Sequence, residues 1–464
     1  MSEDTKTLPD QNNQDELTFT LSDDDIRSTL DALHSEDADT VCAVLDELSP
    51  ADTADLLAKA NNDDRQEIIK MYGDTLDPEV FTEMDTELGR NTLEQMPVDQ
   101  VAGIIADLES DDALELVESL EEDFQQDIIR KLSAKTRAAV EEGLSFPEDS
   151  AGRLMQREVV AIPQFWTVGK TIDYLRAASS DLPEDFFDLF VIDPAYHIRG
   201  HIPLNKLVRG GRSDKIEDIA MDNIHPIPAD MDQEEVAHLF RRDNIVSAPV
   251  IDSDGRLLGV ITIDDIVDVI DEEAAEDILK LAGVDQGDLY RAVLSTTGTR
   301  FRWLFINLLT AILASIVISF FDTTIEQIVA LAILMPIVAS MGGNAGTQAL
   351  TVAVRALATK ELSGTNTARI IWKETIVGSL NGIAFAIITG VITALWFSSP
   401  MLGIVIAAAM VINLIVAGLF GAAIPVILER TGSDPAVAST VFLTTVTDVV
   451  GFFAFLGLAA IFLL

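Results

Sequence analysis

An aspartate stands inside a long apolar run near the C-terminus. The run AVASTVFLTTVTDVVGFFAFLGLAAIFLL carries Asp448, with Thr440 and Thr444 eight and four residues before it. Steps of four place the three side chains on one helix face. A carboxylate at bilayer depth costs about 2.5–3.5 kcal/mol on insertion scales, so it faces a partner or a water-filled path and marks ion or proton movement. No Lys or Arg lies at that depth to neutralise it. Two readings follow: a protonated Asp448 hydrogen-bonded to a neighbouring helix, or an ionised one visited by a cation. A second run, MPIVASMGGNAGTQALTVAVRALA, combines Pro336 and the glycines Gly342, Gly343 and Gly346 with Asn344, Thr347 and Gln348. Proline and glycine disfavour a regular helix there and permit close backbone approach, while the amides and hydroxyl supply uncharged oxygen. Helix packing is the alternative use of the glycines. Oxygen ligands with a carboxylate, and neither thiol nor imidazole, favour a hard cation such as Mg²⁺ over a soft transition metal. Mg²⁺ sheds water reluctantly, so a pore that keeps its inner hydration shell suits it, with Gly342, Gly343, Asn344 and Gln348 as lining. One chain offers a single Asp448; a two-fold homodimer would place two around an axis.

The elements that must position these residues follow from charge and hydropathy. Of 464 residues, 31 are Lys or Arg and 76 are Asp or Glu, a net charge of -45. Residues 1–302 hold 26 basic and 69 acidic side chains, against 5 and 7 in 303–464, so 43 of the 45 excess negative charges lie in the first part. Such an anion repels a phosphate backbone, which excludes nucleic acid as a partner. The lone Cys42 excludes an intramolecular disulfide framework and a Cys-rich zinc site. Beyond 302 come five apolar stretches, 303–321, 326–350, 376–397, 401–428 and 436–463, each near or above the ~20 residues of a spanning helix. They predict a lipid-embedded five-helix bundle with Asp448 as the one acid well inside a span. Arg300, Arg302, Arg355, Lys360, Arg369, Lys373 and Arg430 all fall on the side of the acidic region. This is the positive-inside pattern for a cytoplasmic N-terminus and an outside C-terminus. The polar start MSEDTKTLPDQNNQDEL lacks the apolar core of a signal peptide, so the acidic part is expected to stay in the cytoplasm.

That part divides further. Residues 1–16 read as a disordered tail, and 17–150 as a helical domain with an internal repeat at an offset of 60. Val41, Leu45, Leu48, Asp52, Leu56, Leu57, Ile68 and Ile69 match Val101, Ile105, Leu108, Asp112, Leu116, Val117, Ile128 and Ile129. The spacing predicts stacked helical hairpins in an all-α superhelical N domain. Across 151–271 the pattern changes to strand, helix, strand, turn, strand, helix, twice over, about 151–216 and 217–271, with strands at Ala248–Ile251 and Leu257–Ile261. The last helix begins DDIVDVIDEEAAED, whose Asp265, Asp268, Glu272 and Glu276 share a face beside Glu273 and Asp277. Packed carboxylates repel unless cations intervene, so closure of this face against other acidic surfaces would depend on divalent ions; a solvated face is the plainer reading.

The paired units resemble a tandem cystathionine β-synthase (CBS) domain pair of α/β fold, a module that often binds adenine nucleotides. Gly259, Thr262 and Asp265 match its ribose-holding Gly-x-x-Thr/Ser-x-x-Asp run, with ATP as the implied ligand, while the first copy has Pro203 and Lys206 at the equivalent positions. With the acidic N domain, a connecting plug helix over 272–301 and a transmembrane domain over 302–464, the whole chain resembles the MgtE family of magnesium channels/transporters. Its most specific words are MGGNAGTQ (341–348), VRALATKEL (354–362), SDPAVAST (433–440) and TTVTDVVGFFAFLGLA (444–459). The resemblance implies a homodimer with a pore between the second and fifth spans, a hydrated Mg²⁺ at Asp448, and Thr440 and Thr444 lining the same site. It also implies a cytoplasmic Mg²⁺ sensor that closes the gate, with Asp232, Glu234, Asp265, Asp268, Glu273, Glu276, Asp277 and Asp434 as matching acids. Asp111, Asp112 and Glu115 in the N domain are placed more loosely, and Asn244 replaces an acid found in some members. The implied activity is Mg²⁺ influx across the cytoplasmic membrane, with Co²⁺ or Mn²⁺ as the alternative cargo. An intramembrane aspartyl protease needs two carboxylates sharing a proton, and the bundle supplies one. A transporter of anions would call for basic groups within the spans, and a membrane-anchored sensor would carry no flux.

Overall fold

The computed structural model describes residues 21–35, 37–73, 75–178, 182–183, 186–284, 289–362, 365–432 and 434–464. The expected disordered tail, 1–16, lies outside them. The chain divides into two compact units, Met1–Val267 and Asp268–Leu464.

The first unit opens with short helices from Asp23–His34 to Ala134–Gly143. Ser, Asp or Asn side chains at Ser22, Asp37, Ser49, Asn61, Asp85 and Ser133 cap their N-termini, each accepting from a backbone N–H two or three residues on. Such caps satisfy orphan donors and set where each turn starts. The repeat at an offset of 60 becomes one core: Val41, Leu56, Leu57 and Ile68 from the first copy pack with Val101, Ile105, Val117 and Ile128 from the second, all inaccessible to solvent. No single hairpin buries both faces, so the stack is cooperative.

Residues 161–262 form two three-stranded sheets. In each, the first strand (Ala161–Pro163; Ile227–Pro228) runs parallel to the second (Asp188–Ile192; Ser247–Ile251), which pairs antiparallel with the third (Ile198–Pro203; Leu257–Thr262). The parallel step requires a crossover, supplied by helices Val168–Ala177 and Gln233–Asp243. The tight turn before Leu257–Thr262 uses Gly255 at φ +81°, a conformation that glycine adopts without cost. Phe190 and Ile192 of the first sheet pack against Leu257 and Val260 of the second, so the two copies share a core.

The second unit holds five helices long and apolar enough to cross a membrane: Val293–Ser319, Ala330–Ala358, Thr367–Trp396, Pro400–Arg430 and Pro435–Phe462. They are termed the first to fifth membrane helices. Their number and order follow the sequence pattern, but most extend beyond the apolar stretches because amphipathic turns continue them. The third therefore includes Glu374, a buried acid, before its apolar part begins. Asp448 is thus not the only buried or half-buried carboxylate on a membrane helix. Two further expectations are corrected. The second helix runs unbroken through Pro336, Gly342, Gly343 and Gly346; one missing N–H is tolerated when neighbouring helices enclose the backbone. The connecting helix is not one rod over 272–301. Helix Ile263–Ala282 continues the second CBS copy and ends at Gly283 (φ +70°), whereas Val293–Arg302 belongs to the first membrane helix.

The fourth helix is the centre of the bundle. It approaches the third where Gly378 faces Gly418 and Gly390 faces Gly403, and the second where Gly421 meets the Gly346 carbonyl. Small residues let backbones come within van der Waals contact where lipid gives no hydrophobic drive for association. A Cβ on Gly418 would collide with the Glu374 carbonyl oxygen, whereas one on Gly103, exposed on helix Val98–Asp107, meets nothing within 4 Å. Gly418→Leu is therefore expected to abolish monodisperse protein in detergent, read by size-exclusion chromatography. Gly103→Ala is expected to stabilise the N domain by about 0.5–1 kcal/mol in denaturant unfolding.

Candidate functional site

Asp448 lies halfway down the fifth membrane helix, whose start is set by Asp434 as N-cap, accepting from Ala436 N–H at 2.7 Å, and by Pro435 in the first turn. Asp448 is half-buried, and among the described residues it has no hydrogen bond and no ion pair. The neighbouring-helix partner that a structural aspartate would need is missing. Thr444 donates to the Thr440 carbonyl at 2.9 Å, and Thr440 donates to the Leu281 carbonyl at 3.1 Å. With each hydroxyl hydrogen turned to backbone, the oxygen lone pairs stay free to accept, which is what a hydrated cation requires. Thr440 also ties the fifth helix to the end of helix Ile263–Ala282, a link with no signal in the sequence pattern.

On the second membrane helix Asn344 and Gln348 are exposed, in line with Ser340 at steps of four, and nothing lies within 4 Å of a Cβ built on Gly343. Ser340 Oγ and Asn344 Nδ2 are 3.4 Å apart. This polar stripe is left uncovered by the single chain. Gly342 departs from its expected place: it is buried against the Asn413 side chain of the fourth helix, so it packs rather than faces the stripe.

The sensor acids fall into separate groups. In the first unit, Glu109, Asp111 and Asp112, at the start of helix Ser110–Ser119, meet Asp264 and Asp265 at the start of helix Ile263–Ala282, with Glu158 beside them. The N domain is held there by Ser110 Oγ donating to Glu158 at 2.7 Å, Gln156 Nε2 donating to Glu109 at 3.0 Å, and ion pairs Arg157–Glu142 at 2.8 Å and Arg153–Glu118. Burial, and then the neighbouring carboxylates, push Glu109 up to about 7. Burial also raises Asp265 to about 6, helped by Asp264 and opposed by hydrogen bonds from Thr262, and burial and Asp265 lift Asp111 well above the usual range. A cation would relieve all three. Among the described residues, however, no three acids or histidines already enclose a single ion.

In the second unit Glu276, Asp277 and Asp434 gather around Lys280, whose Nζ lies 2.5 Å from Glu276 and 2.8 Å from Asp434. Burial works against the Lys280 charge, but the two carboxylates outweigh it and raise its pKa. Burial and the facing Asp434 raise Asp277. One positive charge of this cluster is thus built in, which the count of acids along the helix did not reveal. The remaining acids lie on two helices. Asp232 caps helix Gln233–Asp243 and Glu234 sits in its first turn, while Asp268 and Glu273 lie on helix Ile263–Ala282. Asn244 has a backbone duty: it closes helix Gln233–Asp243 at φ +53°, a left-handed conformation that Asn tolerates better than most residues.

At the ribose motif the three matching residues have contacts within the chain. Asp265 accepts from the Thr262 hydroxyl at 2.9 Å, and Gln156 and Met155 cover the strand at Gly259, where the Gln156 N–H donates to Val260 O at 2.9 Å. A cavity of about 760 Å³ opens between the two copies, lined by Phe187, Asp188, His201, Asn205, Arg209 and Asp243 among others. Asp188 Oδ1 and His201 Nδ1 are buried there without hydrogen-bond partners among the described residues, Asp188 Oδ1 lying 4.0 Å from His201 Nε2.

Comparison with known proteins follows the same division of the chain. Residues 335–458 match the MgtE family model, a divalent cation transporter, 48–149 match the MgtE intracellular N domain, and 216–272 match a CBS domain. The magnesium transporter MgtE of Thermus thermophilus is 35% identical over 76% of this chain and 78% of its own. That of Bacillus subtilis is 28% identical over 91% and 93%. The cytosolic domain of the Mg²⁺ channel MgtE, solved in complex with ATP, is similar at 28% identity and a TM-score of 0.50, over 53% of this chain and 99% of that one. The chain belongs to the MgtE family.

The buried carboxyls set a pH dependence. Their folded-state pKa values are raised, so the stability of the 109–112 and 264–265 contact is complete below about 4 and is lost as pH rises through about 6–7. In the absence of divalent cations, hydrogen exchange in these two segments of the full chain is expected to quicken across that interval. Adding millimolar Mg²⁺ at about pH 7.5 should slow it again, because a bound cation replaces the lost protons.

Proposed function

We propose that this MgtE-family protein carries Mg²⁺ into the cell across the cytoplasmic membrane, and that internal Mg²⁺ bound at its acidic cytoplasmic faces closes the path. The observation that carries this reading is Asp448: a carboxylate at membrane depth, half-buried, with no hydrogen bond or ion pair among the described residues. A visiting cation is the counter-charge left to it. Two copies around an axis would set two such carboxylates, with the Ser340–Asn344–Gln348 stripe and the Thr440 and Thr444 oxygens, around one hydrated ion. The exposed apolar surface of the first membrane helix suits lipid or a second copy, in keeping with a homodimer. With the basic residues on the acidic side, the N-terminus is cytoplasmic and the C-terminus outside.

Gating follows from electrostatics. Glu109, Asp111 and Asp265 in one cluster, and Asp277 and Asp434 in the other, resist approach unless a cation joins them. Ions that bind only the closed arrangement stabilise it by mass action, so the open fraction falls as internal Mg²⁺ rises. Asp232, Glu234, Asp268, Glu273 and Glu276 would add ligands where the acidic faces meet in that state.

Purified protein in liposomes tests the reading. Wild type should pass Mg²⁺, with Co²⁺ and Mn²⁺ offered alongside, and Asp448→Ala should lower flux at least about a hundredfold, the size of a lost intramembrane charge site. Equal conduction by Asp448→Ala would sink it. Replacing Glu273 and Asp277 together by alanine should move half-inhibition to higher internal Mg²⁺; a curve identical to wild type would remove these two acids from the sensor.

A second ligand is favoured by the cavity at Phe187. Its Asp188 Oδ1 and His201 Nδ1 atoms, which lack hydrogen bonds among the described residues, the Phe187 ring and Arg209 offer a polar base, a stacking face and a cation, a set suited to a nucleotide such as ATP. Calorimetric titration of ATP into the full chain should show binding, and Arg209→Ala with Phe187→Ala should weaken it about tenfold or more, as for loss of a charge contact and a stacked ring.

A further inference from the structure

Asn413 lies in the middle of the fourth membrane helix and is wholly inaccessible to solvent. Its side chain crosses to both polar-bearing helices. Nδ2 donates to the Val338 carbonyl of the second helix at 2.8 Å, across a gap opened by Gly342. On the other side it lies against Gly451 of the fifth helix, where an added Cβ would stand 2.8 Å from Nδ2 and 3.2 Å from Oδ1. A Cβ on Gly342 would collide with the same amide. Gly451 is three residues, about 4.5 Å along the axis, from Asp448. Gly342 is two residues from Asn344.

This arrangement is costly by itself. The other amide atom, Oδ1, is buried with no hydrogen-bond partner among the described residues, and a dehydrated unpaired acceptor is unfavourable. A leucine would fill a similar volume without that cost, and the two glycines forfeit helix propensity to admit the amide. Buried polar groups that lower stability are retained in some proteins because they fix one register among several.

We propose that Asn413 is a positioning residue that sets the separation of the second and fifth membrane helices at the depth of Asp448, and thereby the discrimination among divalent cations of different size. The proposal rests on the transport reading above. A leucine keeps the packing but loses the only directional bond, so the two helices can slide and the opening at Asp448 relaxes toward larger, more weakly hydrated ions.

The test uses full-length protein in liposomes, with Mg²⁺ and Ca²⁺ offered to wild type, Asn413→Leu, Asn413→Ala, Gly342→Ala and the Asn413→Ala/Gly342→Ala pair. Mg²⁺ flux through wild type establishes transport independently of the proposal. Asn413→Leu is expected to stay monodisperse and to pass Mg²⁺ within about threefold of wild type, while its preference for Mg²⁺ over Ca²⁺ falls about tenfold, because ligand spacing rather than ligand identity has changed. Gly342→Ala is expected to lose most flux, and the pair to return to the level of Asn413→Ala, since the colliding amide is gone. Unchanged preference in Asn413→Leu, with wild type conducting, would overturn the proposal. Should that variant fail to fold, a pair no better than Gly342→Ala would overturn it equally.

Discussion

A carboxyl group that no packed helix partners is the constraint on which the molecule turns. Asp448 is held at membrane depth without a hydrogen bond or an ion pair among the described residues. The surrounding hydroxyls give their hydrogens to backbone carbonyls, so that oxygen alone faces outward from Thr440 and Thr444. On the transport reading proposed above, a site built in this way suits a hydrated ion, because binding there would cost the ion little of its water. The same shortage of positive charge extends into the acidic N-terminal part, where buried carboxyls at Glu109, Asp111 and Asp265 are set against each other.

The bundle can hold such a charge because the rest of it is rigid. Gly378 with Gly418, Gly390 with Gly403, and Gly346 with Gly421 bring three helix backbones together without intervening side chains. The fourth helix serves as a dry spine, and Asn413 supplies a hydrogen bond from that spine to the second helix. Polar residues on the second and fifth helices then project away from it. One and the same run of glycines therefore has two uses. Gly342 and Gly346 accept neighbouring side chains, whereas Gly343 faces open space.

The two acidic groups differ in how they are balanced. At Asp434, Lys280 already provides a tethered cation for two carboxylates, and Asp277 is still raised, by burial first and then by Asp434, with Lys280 opposing. At Asp265 no such lysine is present, and burial dominates. Thr440 links the second of these groups to the helix of Asp448 through the Leu281 carbonyl. A displacement of the end of helix Ile263–Ala282 would therefore be felt one and two turns above Asp448, within a single packed unit.

The fold class was legible from the sequence alone because it rests on periodicity: the 60-residue repeat reads directly onto the buried face of the N domain, and the alternating runs at Ala248–Ile251 and Leu257–Ile261 onto paired strands. Five membrane helices and the isolation of Asp448 from basic residues follow from hydropathy and charge, which are local properties. What hydropathy could not supply was length and partnership. The second helix passes through Pro336 because its neighbours enclose it, and the third starts at Thr367, taking in the buried Glu374, because polar turns continue it below its apolar stretch. Gly259, Thr262 and Asp265 carry the letters of a ribose motif, whereas the open cavity is formed by both copies together, which no single motif signals. Lys280, Asn413 and the partners of Thr440 act across 75 to 159 residues of chain. Residue types along the chain determine which groups are costly to bury; only tertiary packing decides which of those costs are met by a partner and which, as at Asp448 among the described residues, are not.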